Sequence, residues 1–288
     1  MDKFRPFLRW AGGKRWLARV LAPLLSSRLS KGGTYFEPFL GSGAIFFALQ
    51  PERAVLSDLN EELIITFIEV AQRPQAIVER LSKMPTTREE YECILLWKPK
   101  LFLDRAVRFI YLNRNGYGGL YRENKRGIFN VPYGGGERNH KLLISDGTLL
   151  RAASALLQPH IELIVSDFGR ILTRAGSGDV VYCDPTYRAV THRQFDRYGR
   201  VIFGWEDQER LARLATEACE RGATVVLSNT LCNGVRELYR KASVVEVSRR
   251  KGLGPEGNGA RQVEYVFVLD PIEDWSFWAE LGLLGKSL

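Results

Sequence analysis

Histidine and methionine are scarce in this chain, with three and two among 288 residues, and its four cysteines (Cys93, Cys183, Cys219, Cys232) stand apart with no CxxC pair. Without clustered Cys or His, neither a zinc site nor a disulfide framework is indicated, and no metal is expected. That cysteine usage suits a reducing compartment. No window approaches the roughly 18 apolar residues that span a bilayer, and the opening MDKFRPFLRWAGGK has no continuous apolar stretch of the kind a signal peptide carries. A soluble, cytoplasmic protein with no membrane partner is expected. Internal repeats and low-complexity tracts are also missing, which excludes solenoids and compositionally disordered chains.

What is present is positive charge in one place. The net charge is +8, and between Lys98 and Lys141 ten basic residues face three acidic ones. Tyr111, Tyr117, Tyr121, Phe129 and Tyr133 are interleaved with them, as a phosphate-contacting surface with stacking groups requires. A solvated basic face has the same composition, so charge alone leaves both readings open.

Four short apolar runs end in small or acidic residues: 34–37 (TYFE), 54–58 (AVLSD), 179–184 (DVVYCD) and 224–229 (TVVLSN). Continuous apolar runs of this length suit strands covered on both faces. A helical pattern over 206–221, closed by Gly222, lies between the last two. This alternation predicts an α/β fold with a mostly parallel, Rossmann-like sheet. Two further strands, 243–248 and 262–269 (QVEYVFVL), predict a C-terminal antiparallel hairpin at the sheet edge. The spacing also predicts helices over 61–84 and 87–112, followed by a glycine-rich, basic, aromatic stretch. The expected division is a catalytic domain of residues 1–60 and 147–288 with a helical insert of residues 61–146.

The turn Glu37-Pro38-Phe39-Leu40-Gly41-Ser42-Gly43 leads from a strand into an apolar helix, and its glycines admit a ligand to the backbone. It is neither GxGxxG nor a P-loop. Asp58 ends the next strand, where an α/β fold can hold ribose hydroxyls. The run YCDPTYR, 182–188, places an acid, a proline and an aromatic ring at another strand end, a turn or a catalytic loop on its own evidence.

These pieces occur in a fixed order: FLRWAGGK (7–14), FEPFLGSG (36–43), SDLN (57–60), YLNRNGYGGLYR (111–122), GIFNVPYG (127–134), SDF (166–168) and DPTY (184–187). In that order the chain resembles the Dam-type DNA adenine-N6 methyltransferases from Phe7 to about Leu269. The resemblance implies S-adenosylmethionine as cofactor, held by Trp10, Lys14, the turn from Glu37 through Pro38, Phe39 and Gly41 to Gly43, Asp58, Asp167, Phe168 and Asp184. It implies a flipped adenine stacked on Tyr187, with its amino group held by the Asp184 carboxylate and the Pro185 carbonyl. It further implies double-stranded DNA as partner, contacted by Arg9, Arg114, Tyr117, Arg122, Asn124, Lys125, Pro132 and Tyr133. A monomer is expected, acting alone or beside a cognate restriction endonuclease. Two other readings stay open: methylation of another exocyclic amine, as in RNA, and a nucleic-acid-binding protein on a methyltransferase fold that no longer catalyses.

The chain departs from the family pattern at three places. Gly118 stands where an asparagine is common, Gly135-Gly136 replace a basic and aromatic pair, and Thr186 replaces the second proline of DPPY. The first two remove side chains at the expected DNA surface, so the GATC specificity of well-known members is not carried over. A proline at 186 would hold Pro185 extended and fix its carbonyl. Thr186→Pro is therefore expected to transfer methyl groups at least as fast as the parent in a single-turnover assay; a large loss would give Thr186 a role of its own.

Overall fold

The computed structural model describes residues 5–10, 13–119, 121–122, 124, 129–135, 147–185, 203–229, 232–250, 253–254, 257–258 and 261–272. Thr186, Tyr187, Lys125 and Gly136 lie outside them.

Helix α1 (Arg15–Arg28) is followed by β1 (Tyr35–Glu37), α2 (Ala44–Leu49) and β2 (Arg53–Asp58). Then come α3 (Glu61–Gln72), α4 (Pro74–Ser82), α5 (Arg88–Leu96), α6 (Phe102–Asn115) and α7 (Thr148–Leu156). The second half alternates β3 (His160–Val165), α8 (Phe168–Leu172), β4 (Val180–Cys183), α9 (Trp205–Glu220), β5 (Thr224–Asn229) and α10 (Asn233–Leu238). It ends in β6 (Ser243–Arg250), two short strands β7 (Leu253–Gly254) and β8 (Gly257–Asn258), and β9 (Arg261–Leu269).

Seven strands form one sheet in the order β3-β2-β1-β4-β5-β9-β6. The first five run parallel, and β9 enters antiparallel between β5 and β6. The expected α/β fold and the edge hairpin are thus found, β6 being the edge. Strands β1, β4 and β5 are buried throughout because helices cover both faces. Tyr35, Val180, Tyr182 and Val226 join one apolar core with α1, α2, α3 and α6. Their neighbours Phe36, Val181, Val225 and Leu227 join a second core with α8, α9 and α10 on the opposite face.

Two long helical expectations are each split. Arg73-Pro74 divides 61–84 into α3 and α4, since Pro74 lacks an N–H and takes the first position of the new helix. The extended stretch around Pro99 separates α5 from α6. Helix α3 packs on β2 and β3 as well as on α4, α6 and α7. It therefore couples the sheet to the helical segment rather than belonging to that segment alone. Among the described residues no helix is long and apolar enough to cross a membrane.

Phe67 of α3 sits where these layers meet, with its ring 4.9 Å from that of Phe7 and 6.2 Å from that of Phe47. It is fully buried. Phe67→Ala is expected to destabilise the chain by about 3–5 kcal/mol, read from the shift of the urea unfolding midpoint. A loss under about 1 kcal/mol would mean that this junction is not tightly packed.

Candidate active site

The carboxyl ends of the parallel strands lie along one edge of the sheet, and acids cluster there: Glu37 at the end of β1, Asp58 at the end of β2, Asp167 after β3 and Asp184 after β4. Strand β9 runs the other way. Its Tyr265 pairs with Asn229, the last residue of β5, so Glu264, one residue earlier in β9, reaches the same edge.

The turn after β1 is shaped by its neighbours. Gly41 has a φ of 48°, and a Cβ there would meet Trp10 Cδ1 at 2.9 Å, so the indole lies directly over a backbone that only glycine fits. Trp10 also stacks on Tyr121, at 5.4 Å and 14°. The Gly41 N–H donates to Asp58 Oδ2 at 3.1 Å and the Asn60 N–H to Asp58 Oδ1 at 3.0 Å. These bonds tie the glycine turn to the second strand, and they partly offset the burial that raises the Asp58 pKa.

Lys14, just before α1, is buried with its ammonium 2.8 Å from Glu264 Oε1 and 3.2 Å from Asp184 Oδ1. Glu37 is buried as well; its Oε2 accepts from the Tyr35 hydroxyl at 2.9 Å and the Phe46 N–H at 3.1 Å. Burial pushes Glu37 up to about 8, against the lowering effect of those two bonds. Burial likewise pushes Asp184 up to about 7; Lys14 opposes the shift and Glu264 reinforces it. Two buried carboxyl groups, Glu37 and Glu264, and the half-buried Asp184 share one lysine, a site that favours added positive charge.

At the far end, Arg210 of α9 grips both oxygens of Asp167, at 2.6 and 2.8 Å, and its guanidinium carbon sits over the Phe168 ring, 3.9 Å from the centroid. The Arg210 bond holds the Asp167 carboxyl below its ordinary pKa. Phe39 stacks on Phe168 at 5.3 Å, and Phe203 closes against both at 5.7 and 5.8 Å. The resemblance gave Asp167 and Phe168 to the cofactor; here the side chain of Arg210 lies on both.

The expected DNA-contacting positions divide. Tyr117 is 64% exposed, with its N–H on the Pro132 carbonyl at 2.9 Å, and Pro132 is exposed too. The backbone of Arg9 is clamped both ways by Asn113, at 2.9 and 2.8 Å. Arg114 donates through Nε and Nη2 to the Phe7 carbonyl, so its guanidinium secures the N-terminal segment. Arg122 is bound to Asn130, through Oδ1 at 2.9 Å and the carbonyl at 3.0 Å, and Asn124 is half-buried. The Tyr133 hydroxyl donates to the Thr86 carbonyl. Gly118 has a φ of 64°, a conformation that glycine takes freely and asparagine more readily than most residues.

Sequence reasoning missed Asn113, Arg210 and Glu264. Only Glu264 carried a signal, as the lone acid inside the apolar run QVEYVFVL.

The strand order and the acid-lined edge with its glycine turn define a Rossmann-like α/β fold with a ligand site at the carboxyl ends of its strands. Residues 10–253 match the family described as D12 class N6 adenine-specific DNA methyltransferase. The chain belongs to that family. It is 33% identical to the type II methyltransferase M1.LlaDCHI of Lactococcus lactis subsp. cremoris, over 92% of this chain and 94% of that protein. It is 32% identical to a DNA adenine methylase of Vibrio cholerae (93% and 97% covered) and 33% identical to that of Escherichia coli K12 (93% and 96%).

The raised carboxyls predict a pH dependence. Glu37 and Asp184 hold protons in the folded chain that the unfolded chain releases near pH 4, so their contribution to stability is largest at low pH and is lost as pH rises through about 7 to 8. Relative to the parent, Glu37→Gln is expected to flatten the fall in thermal midpoint between about pH 5 and pH 8.5. Parallel curves would show that Glu37 does not titrate in that window.

Proposed function

We propose that this chain transfers a methyl group from S-adenosylmethionine to N6 of an adenine turned out of duplex DNA, with Asp184 and Pro185 as the acceptors that hold the amino group. Family membership supports the reaction. The observation that carries the placement is Asp184 itself, a carboxylate at the end of β4 beside a buried acidic cluster with one lysine.

The residues suit the cofactor's parts. The acids Glu37, Asp184 and Glu264, the first two of which a bound cation draws into the charged form, suit a cationic sulfonium and ammonium, Lys14 suits a carboxylate, and Asp58 retains lone pairs for ribose hydroxyls beyond its two backbone bonds. Trp10 lies over the glycine turn as an apolar, electron-rich wall. The adenine end fits only once Arg210 turns off the face of Phe168, or moves to cover the incoming ring from its other side. When bound, the cofactor supplies an electrophilic methyl on sulfur.

The chain's own groups supply the rest. The amino nitrogen of adenine is a weak nucleophile because its lone pair is delocalised into the ring. Asp184 and the Pro185 carbonyl each accept one N–H, which favours a tetrahedral nitrogen, aims its lone pair and stabilises the positive charge that grows on it. Holding the two reactants in line supplies much of the remaining acceleration. Tyr187 provides the stacking face, worth about 1–3 kcal/mol against an extrusion cost of a few kcal/mol. The exposed Tyr117 and the basic segment around it supply the duplex contacts, and binding there falls steeply with salt.

Labelled S-adenosylmethionine incubated with adenine-containing and adenine-free duplexes tests the reading. Label is expected only in the former, and Asp184→Ala is expected to abolish transfer while duplex binding persists. Binding without transfer by the parent at saturating cofactor, or transfer surviving Asp184→Ala, would overturn it.

A further inference from the structure

Glu264 is the one member of the acidic cluster that does not follow a parallel strand. It lies on β9, opposite Val247 of β6 in register, and only 6% of it is exposed although both flanking positions are valine or tyrosine. A buried carboxylate in an apolar strand costs several kcal/mol unless it is paired. Its partner is the Lys14 ammonium, 2.8 Å away, closer than the 3.2 Å that separates the same ammonium from Asp184. Among the described residues Asp184 has no second ion pair. The position of one lysine, which lies nearer to Glu264 than to Asp184, therefore bears on how much of the Asp184 carboxylate is neutralised within the chain.

We propose that Glu264 is a positioning residue for methyl transfer: it anchors the Lys14 ammonium between β9 and β4, so that Lys14 is shared rather than surrendered to Asp184 and an oxygen of Asp184 remains open to the substrate amine. Lys14 alone on Asp184 would form a close, fully satisfied pair, and a carboxylate so held is a poorer acceptor for the adenine N–H. Lys14 alone on Glu264 would leave the half-buried Asp184 without a stabilising cation and prone to protonation. Sharing keeps it between these limits. Among the described residues, the other groups facing Asp184 are Glu37 of β1 and, on its own strand, Tyr182 and Cys183. None of these supplies a cation, and Asp184 and Glu264 each pair with Lys14.

The inference rests on the reading of Asp184 as the acceptor, and its test separates the two. The Asp184 carboxyl is titrated by carbon-13 NMR in the cofactor-free chain, with the signal assigned by its loss in Asp184→Asn. The acid limb of kcat/KM for transfer into an adenine-containing duplex, which reports the free enzyme, is measured alongside. In the parent both are expected near 7. In Glu264→Gln the carboxyl titration and the acid limb are expected to move together to lower pH by roughly half a unit or more, because a negative neighbour is lost and Lys14 falls to Asp184. Glu264→Asp, which keeps the charge, is expected to stay near the parent.

A folded Glu264→Gln with both titrations unmoved would overturn the proposal. If Asp184→Asn still transfers methyl groups, the acceptor reading fails, whereas the NMR shift still judges the Lys14 anchoring. Glu264→Ala is read in the same way should the glutamine variant not fold. If neither folds, a parental Asp184 that titrates near an ordinary aspartate value of about 4 would overturn the proposal unaided.

Discussion

The site depends on one buried ammonium. Lys14 reaches from the segment before α1 to the ends of two strands that run in opposite directions, and it meets Asp184 on one and Glu264 on the other. Burying ions is costly, and the geometry has to repay that cost locally. Here one cation serves two carboxylates, with Glu37 close enough to feel Asp184. Burial first, and then the neighbouring acid, Asp184 for Glu37 and Glu264 for Asp184, keeps both carboxyls above their ordinary pKa and makes the edge of the sheet receptive to a positively charged group. A fully neutralised site would be more stable and less useful.

The fold provides that edge. Parallel strands deliver their carboxyl ends to one side of the sheet, where ligands bind in open α/β folds. The antiparallel entry of β9 adds a strand that begins at the same side. This is how an acid from near the C-terminal end of the described chain comes to lie against a lysine near its start. The N-terminal segment is secured independently: Arg114 holds the Phe7 carbonyl, and Asn113 brackets Arg9. The motif 111–122, read from sequence as a DNA-contacting run, thus also holds the N-terminal segment. It does so through Asn113 and Arg114, whereas Tyr117 faces outward.

Much of this was legible in the sequence. Strands β1, β2, β4 and β5 announce themselves because burial on both faces, or close to it, leaves near-continuous apolar runs. Strand β3 did not, since it forms the sheet edge, is only half-buried and carries Glu162 midway. The acids Glu37, Asp58 and Asp184 were legible from their places at strand ends. Arg210 was hidden because an arginine in the amphipathic helix α9 looks like a solvated charge until the fold sets it over Phe168. Glu264 was visible as an oddity, an acid in an apolar strand, but its partner lies 250 positions earlier, a pairing that no local pattern reveals.

The central claim is that this acid-rich edge methylates adenine in duplex DNA. Mapping modified bases in DNA from cells that express the chain, beside cells that express Asp184→Asn, tests it most directly. The account predicts N6-methyladenine in a recurrent sequence context with the parent and none above background with the variant. N6-methyladenine absent with both, or modification falling on cytosine, would contradict it.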